Sequence, residues 1–173
     1  NHANSGLPAL NTTVADGIIG ERLRIAMASL VGVVTRLSES FFGERARVVL
    51  HGYDHAIPDG RGYLGGAWIL PGPWLEPGFR RKGYFPETGR DRIPVLEANA
   101  RVVRDLIDRY NVMLSALVRD LTSAGLSHVR YVDLRGTLST ELPSGYKADW
   151  GNELHPTRPG FAKVTARIAA ALD

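Results

Sequence analysis

Cysteine is absent from the 173 residues, which excludes disulfides, thiol nucleophiles and zinc sites built on cysteine. The absence leaves the compartment open, because secreted bacterial proteins often lack cysteine as well. No apolar run approaches the roughly 18 residues that a membrane helix needs. The N-terminal stretch also lacks a basic segment followed by an apolar one, so neither a membrane span nor a signal peptide is expected. Charge of one sign is scarce too: 21 basic residues face 18 acidic ones, a formal net charge of +3. The densest basic cluster, Arg80, Arg81 and Lys82, is too short to follow a phosphate backbone, so nucleic acid is not an expected partner. No glycine-rich phosphate loop opens either long helix, which leaves a nucleotide site without support.

What remains is an ordinary globular make-up, 44% hydrophobic and 23% charged, suited to one domain. Leu23, Met27, Leu30, Val34, Leu37 and Phe41 recur at steps of three or four. They predict a helix over about 16–40 that turns this stripe to the core and starts at Asp16. Val48, Val49 and Leu50 then form a β-branched run without polar alternation, as in a parallel strand covered on both faces. A stretch dense in glycine and proline, 52–92, is too broken for a long helix and longer than an ordinary connection. Its aromatic residues Tyr53, Trp68, Trp74, Phe79, Tyr84 and Phe85 suit an insertion that folds down as a lid. A second helix is predicted over about 94–123, with Leu96, Val103, Ile107, Tyr110, Leu114, Leu117 and Leu121 on one stripe and Gly125 at its end. A second buried-type strand spans about 129–134. A last helix from about Pro159 turns Phe161, Val164, Ile168 and Leu172 inward.

Helices alternating with strands indicate an α/β fold with right-handed crossovers. Two parallel strands cannot cover the apolar stripes of three helices. The expectation is therefore that 1–173 forms the C-terminal part of one larger α/β domain, completed by an N-terminal segment or a companion chain.

The residue types that carry chemistry gather at strand ends. His155 lies in the polar loop ahead of the last helix, where an imidazole with an ordinary pKa near 6.5 can take and return a proton. His51, Tyr53, Asp54 and His55 leave the carboxyl end of the first strand, the edge at which open α/β sheets bind ligands. His51, Tyr53 and Asp54, together with Trp150 from the His155 loop, are candidate substrate contacts; a network pinning the long loop is the competing role. His51, Asp54 and His55 do not make a convincing metal trio, since histidines four apart at a strand end point in different directions. No metal site is expected.

The segments Val48-Val49-Leu50-His51-Gly52-Tyr53-Asp54, Tyr131-Val132-Asp133-Leu134-Arg135-Gly136-Thr137 and 150–160 resemble the second half of an SGNH/GDSL-type serine hydrolase. The resemblance implies a flavodoxin-like three-layer sandwich with a parallel sheet, of which this chain supplies only the later strands. It implies an esterase or lipase-like activity with no cofactor and a small-molecule ester as substrate. His155, followed by Pro156 and Gly160, matches the family's histidine and would be the general base. Three residues earlier the family has an aspartate; this chain has Asn152, which can accept a hydrogen bond from the ring but cannot stabilise an imidazolium by charge. Asp149 and Glu153 are the carboxylates that could substitute. Asn1 falls where the family's Gly-x-Asn block ends and would donate to the oxyanion, with Asn4 as the alternative. No serine here stands in a Gly-Asp-Ser or Gly-x-Ser-x-Gly setting, so the nucleophile is expected on the missing half or companion chain. The competing expectation is a non-catalytic module that keeps the fold and grips a glycan or a protein.

Overall fold

A computed structural model describes residues 1–63, 71–84 and 92–172. Trp68 and Phe85 of the predicted aromatic lid lie outside these residues. The chain is of mixed α/β type, with an open, parallel, two-stranded sheet among the described residues. It divides into two compact units, one made of 12–52 and 107–133, the other of 1–11, 53–106 and 134–173.

The first unit opens on a long helical run: α1 (Thr12–Asp16), a π-helical stretch (Gly17–Leu23) and α2 (Arg24–Phe42). Gly17 and Gly20, poor helix formers, fall in the π-helical stretch, where the turn widens. Asp16 lies inside the helix without a side-chain cap bond and pairs instead with Arg109 at 2.5 Å, correcting the predicted start. Gly43, at φ +73°, ends the run and donates its N–H to the Glu39 carbonyl.

The face that α2 buries is not the predicted one. Val31, Thr35 and Ser38 point inward, while Leu23, Leu30, Val34, Leu37 and Phe41 are exposed, Phe41 at 76%. The Thr35 hydroxyl donates to the Val31 carbonyl and meets His128 Nε2 at 2.8 Å, so the inward polar groups are satisfied. The apolar stripe is real, but no described part of the chain covers it.

β1 (Val48–His51) pairs with β2 (Val129–Val132) in parallel, with Val48 opposite Val129 and His51 opposite Val132. Only Leu50 of β1 is buried, so the expectation of cover on both faces fails, and its second edge has no partner strand among the described residues. Between the strands, α4 (Arg92–Ser123) runs close to its predicted length and stops at Gly125, φ +87°, where Leu126 N–H reaches the Leu121 carbonyl at 2.9 Å. Leu114 and Leu117 of its predicted stripe are buried, as are Met113 and Val118. Asn111, fully buried on α4, donates to the Ile107 carbonyl and accepts from the Tyr131 hydroxyl at 2.7 Å. A Cβ at Gly52 would lie 2.0 Å from Asn111 Oδ1, so the chain can leave β1 here only as glycine.

The second unit packs Ala56, Ile57, Leu96, Val103, Leu134, Leu138, Tyr146 and Trp150 as its apolar interior. It includes the short α3 (Glu76–Arg81) and ends in α5 (Arg158–Ala169), capped by Thr157, whose hydroxyl oxygen accepts from Gly160 N–H. Gly160 is buried, and a Cβ there would come 2.2 Å from the Asp149 carbonyl oxygen. The predicted inward stripe of α5 is not confirmed. Phe161 and Leu172 are exposed, and Val164 and Ile168 are half-buried. No described helix is long and apolar enough to cross a membrane.

Candidate functional site

The loop between Trp150 and Thr157 folds on itself. Gly151 and Asn152 both send their N–H groups to the His155 carbonyl, at 2.9 and 3.3 Å. Asn152 Oδ1 closes the turn from the other side by accepting the N–H of Leu154 and of His155, each at 2.9 Å. The same oxygen lies 3.0 Å from His155 Nδ1. Two backbone N–H groups identify that atom as the amide oxygen, and an oxygen without hydrogen can only accept. Nδ1 therefore carries the proton in the neutral ring, and Nε2 presents its lone pair on an exposed side chain.

Neither alternative carboxylate reaches the ring. Asp149 receives Lys163 Nζ at 2.7 Å on both oxygens and the Ser139 N–H at 2.8 Å. The Lys163 contact is the main cause that holds its carboxyl below the usual range, with the Ser139 bond adding to it against the opposing effect of burial. Glu153 is 0% exposed and bound to backbone: Oε1 accepts from Gly60 and Glu76, each at 3.0 Å, and Oε2 from Trp74 at 2.6 Å and Leu75 at 2.7 Å. A buried carboxylate with four donors is satisfied as an anion. Its task is to pin the insertion.

Two predicted substrate contacts, Trp150 and Asp54, are held within the framework instead. Trp150 is 1% exposed and its indole N–H is bound by the Ser139 carbonyl, so it is a packing residue of the interior. Asp54 is buried and accepts the N–H groups of His55, Gly136 and Leu138, which makes it the pin for the loop, the competing role considered above. Tyr53 is half-buried with its ring 5.9 Å from that of Trp150, and burial pushes its hydroxyl up to about 12. His51 is exposed at the end of β1, with Nδ1 donating to the Gly52 carbonyl at 2.9 Å.

Asn1 folds back on its own segment. Its side-chain amide donates to the Pro8 carbonyl at 2.7 Å and its ammonium to the Ala9 carbonyl at 2.8 Å. Asn4 is exposed and its backbone N–H meets His2 Nδ1. Neither asparagine is hydrogen-bonded to His155. Among the described residues the His155 ring has Asn152 as its hydrogen-bond partner and no serine hydroxyl beside it.

Two features of this site carry little signal in the sequence. Trp74 packs its ring against His155 with centroids 5.3 Å apart and planes at 66°. Arg61 pairs with Asp59 and donates from Nη1 to the carbonyls of Trp150 at 3.0 Å and Gly151 at 3.3 Å. Asp59 also accepts the Tyr146 hydroxyl at 2.7 Å; burial and this carboxylate push that hydroxyl well above its ordinary range. The Pro58-Asp59-Gly60 run just before Arg61 is the kind of turn signal that could have pointed to it. Among the described residues, no group of three or more histidine, aspartate and glutamate side chains is placed to hold a metal ion.

No family model matches the chain, and no curated protein or solved structure matches it.

Proposed function

We propose that this chain supplies the proton-transfer half of a serine-type ester hydrolase. The observation that carries the reading is the Asn152–His155 pair, in which an amide oxygen accepts from Nδ1 and leaves Nε2 as a base. A serine hydroxyl from a completing segment attacks the ester carbonyl as Nε2 takes its proton. The alcohol leaves with that proton, and water, deprotonated in turn at Nε2, releases the acid from the acyl-serine. The pair works without a cofactor in this scheme.

The completing segment adds parallel strands beside β1 and extends the sheet toward a flavodoxin-like sandwich. What supports it is the edge of β1 that no strand pairs among the described residues, together with the exposed stripe of Leu30, Leu37 and Phe41 on α2. Small parallel sheets are ordinarily covered on both faces, and open edges are ordinarily protected.

A second reading, a non-catalytic module of the same fold, is favoured by one observation: the residue facing Nδ1 is an uncharged amide, which cannot stabilise an imidazolium by charge. Fluorophosphonate labelling of the protein together with its completing segment separates the two. The hydrolase reading expects a labelled serine whose labelling is lost in His155→Ala. Absence of labelling from pH 6 to 9, with the assembly folded, overturns it in favour of the module.

A further inference from the structure

Trp74 combines three properties. The residue is 38% exposed, its backbone is fixed, and its ring packs against the candidate base. The fixing comes from Glu153, whose Oε2 accepts the N–H groups of both Trp74 and Leu75 while Oε1 accepts those of Gly60 and Glu76. Glu153 is two residues from His155 and next to Asn152, so one short loop orients the imidazole and anchors the aromatic wall beside it. The indole is also closely approached by the backbone at Gly72. Gly72 has φ +86°, and a Cβ there would fall 2.6 Å from the indole ring. Any other residue at 72 would be strained in its backbone and would push Trp74 off its position.

An indole held beside a base and partly open to solvent offers a planar apolar face to whatever group approaches that base. In ester cleavage, the group beside the histidine when it returns its proton is the departing alcohol. We infer that Trp74 is a specificity-determining residue, the wall that receives the alcohol portion of the ester, and that it selects alcohols carrying an aromatic or other planar apolar group. The inference rests on the hydrolase reading for its chemistry, but contact between the wall and such an alcohol is measurable without turnover.

The test is titration of the intact protein with 2-naphthol and, separately, with glycerol, followed by NMR on the Trp74 indole N–H and the His155 ring. The expected result is that 2-naphthol shifts both signals and glycerol neither, with binding about tenfold weaker in Trp74→Ala and partly retained in Trp74→Phe. With the completing segment present, benzyl esters should be preferred over ethyl esters of the same acid. That preference should fall about tenfold in Trp74→Ala, while selectivity among acyl lengths stays as it was. Equal loss on both esters, or 2-naphthol shifts that persist in Trp74→Ala, would overturn the role of Trp74. Wall binding without fluorophosphonate labelling would instead leave Trp74 in place and remove the hydrolase reading.

Discussion

Asp54 Oδ2 receives the backbone N–H of Leu138 at 2.7 Å while its Oδ1 receives that of Gly136 at 2.9 Å, so one buried carboxylate joins segments more than eighty residues apart. Both loops follow strands of the sheet, and Asp54 holds the second by its backbone. Asp54→Asn keeps one acceptor oxygen and turns an N–H₂ toward a backbone donor. The expected loss of stability is about 1–3 kcal/mol, the cost of leaving buried donors unpaired. Urea unfolding checks it: a lower midpoint at unchanged slope is the expected result.

Glu153→Gln removes more, because four backbone N–H groups converge on the two carboxylate oxygens. Charge-assisted bonds are worth about 1.5–3 kcal/mol each in favourable settings, so a total loss of at least about 2 kcal/mol is expected. The effect should also be local. Amide exchange at Trp74, Leu75 and Glu76 should accelerate by a larger factor than at Leu114 and Leu117 of α4, because the clamp holds the insertion rather than the helix. Uniform acceleration across these amides would show that Glu153 supports the whole fold instead.

The contrast between these carboxylates and Asn152 explains what could be read from the sequence. Asn152 and His155 are three residues apart, the position at which the resemblance implies the ring's partner, and a side-chain oxygen closing a turn over that distance is local geometry. The partners of Glu153 lie 77 to 93 residues away and are backbone groups, for which no residue type is diagnostic. The same limit applies to Trp150: closeness to His155 in sequence says nothing about which way an indole faces, and this one faces the interior. Helix extents followed from periodicity, and Gly43 and Gly125 stop α2 and α4 through positive φ. On α2 the period revealed which face is apolar, but whether this chain buries that face depends on what lies opposite it.

Acid sensitivity should follow from Asp149. Its carboxyl titrates below the ordinary 3.8, chiefly through the Lys163 contact. A depressed folded-state value means that the contribution is complete above the unfolded value and is lost as pH falls through the folded one. Lys163→Met should therefore narrow the gap in stability between pH 6 and pH 3 relative to the unsubstituted protein, as read by thermal unfolding at both values. An unchanged gap would show that the Ser139 N–H alone sets the carboxyl.

The two faces of α2 make opposite predictions. Val31 is buried, so Val31→Ala should cost about 2 kcal/mol through lost burial and the cavity left behind. Phe41 and Leu37 are exposed, so Phe41→Glu or Leu37→Glu should change the stability of the chain alone by no more than about 0.5 kcal/mol, the usual range for surface positions. If a completing segment covers that stripe, the same two substitutions bury an unpaired carboxylate in the assembled protein and should prevent assembly, as read by sedimentation velocity. Assembly that proceeds unimpaired with both glutamates in place would mean that the sheet is completed elsewhere, and the β1 edge that no described strand pairs would then have to be covered without help from α2.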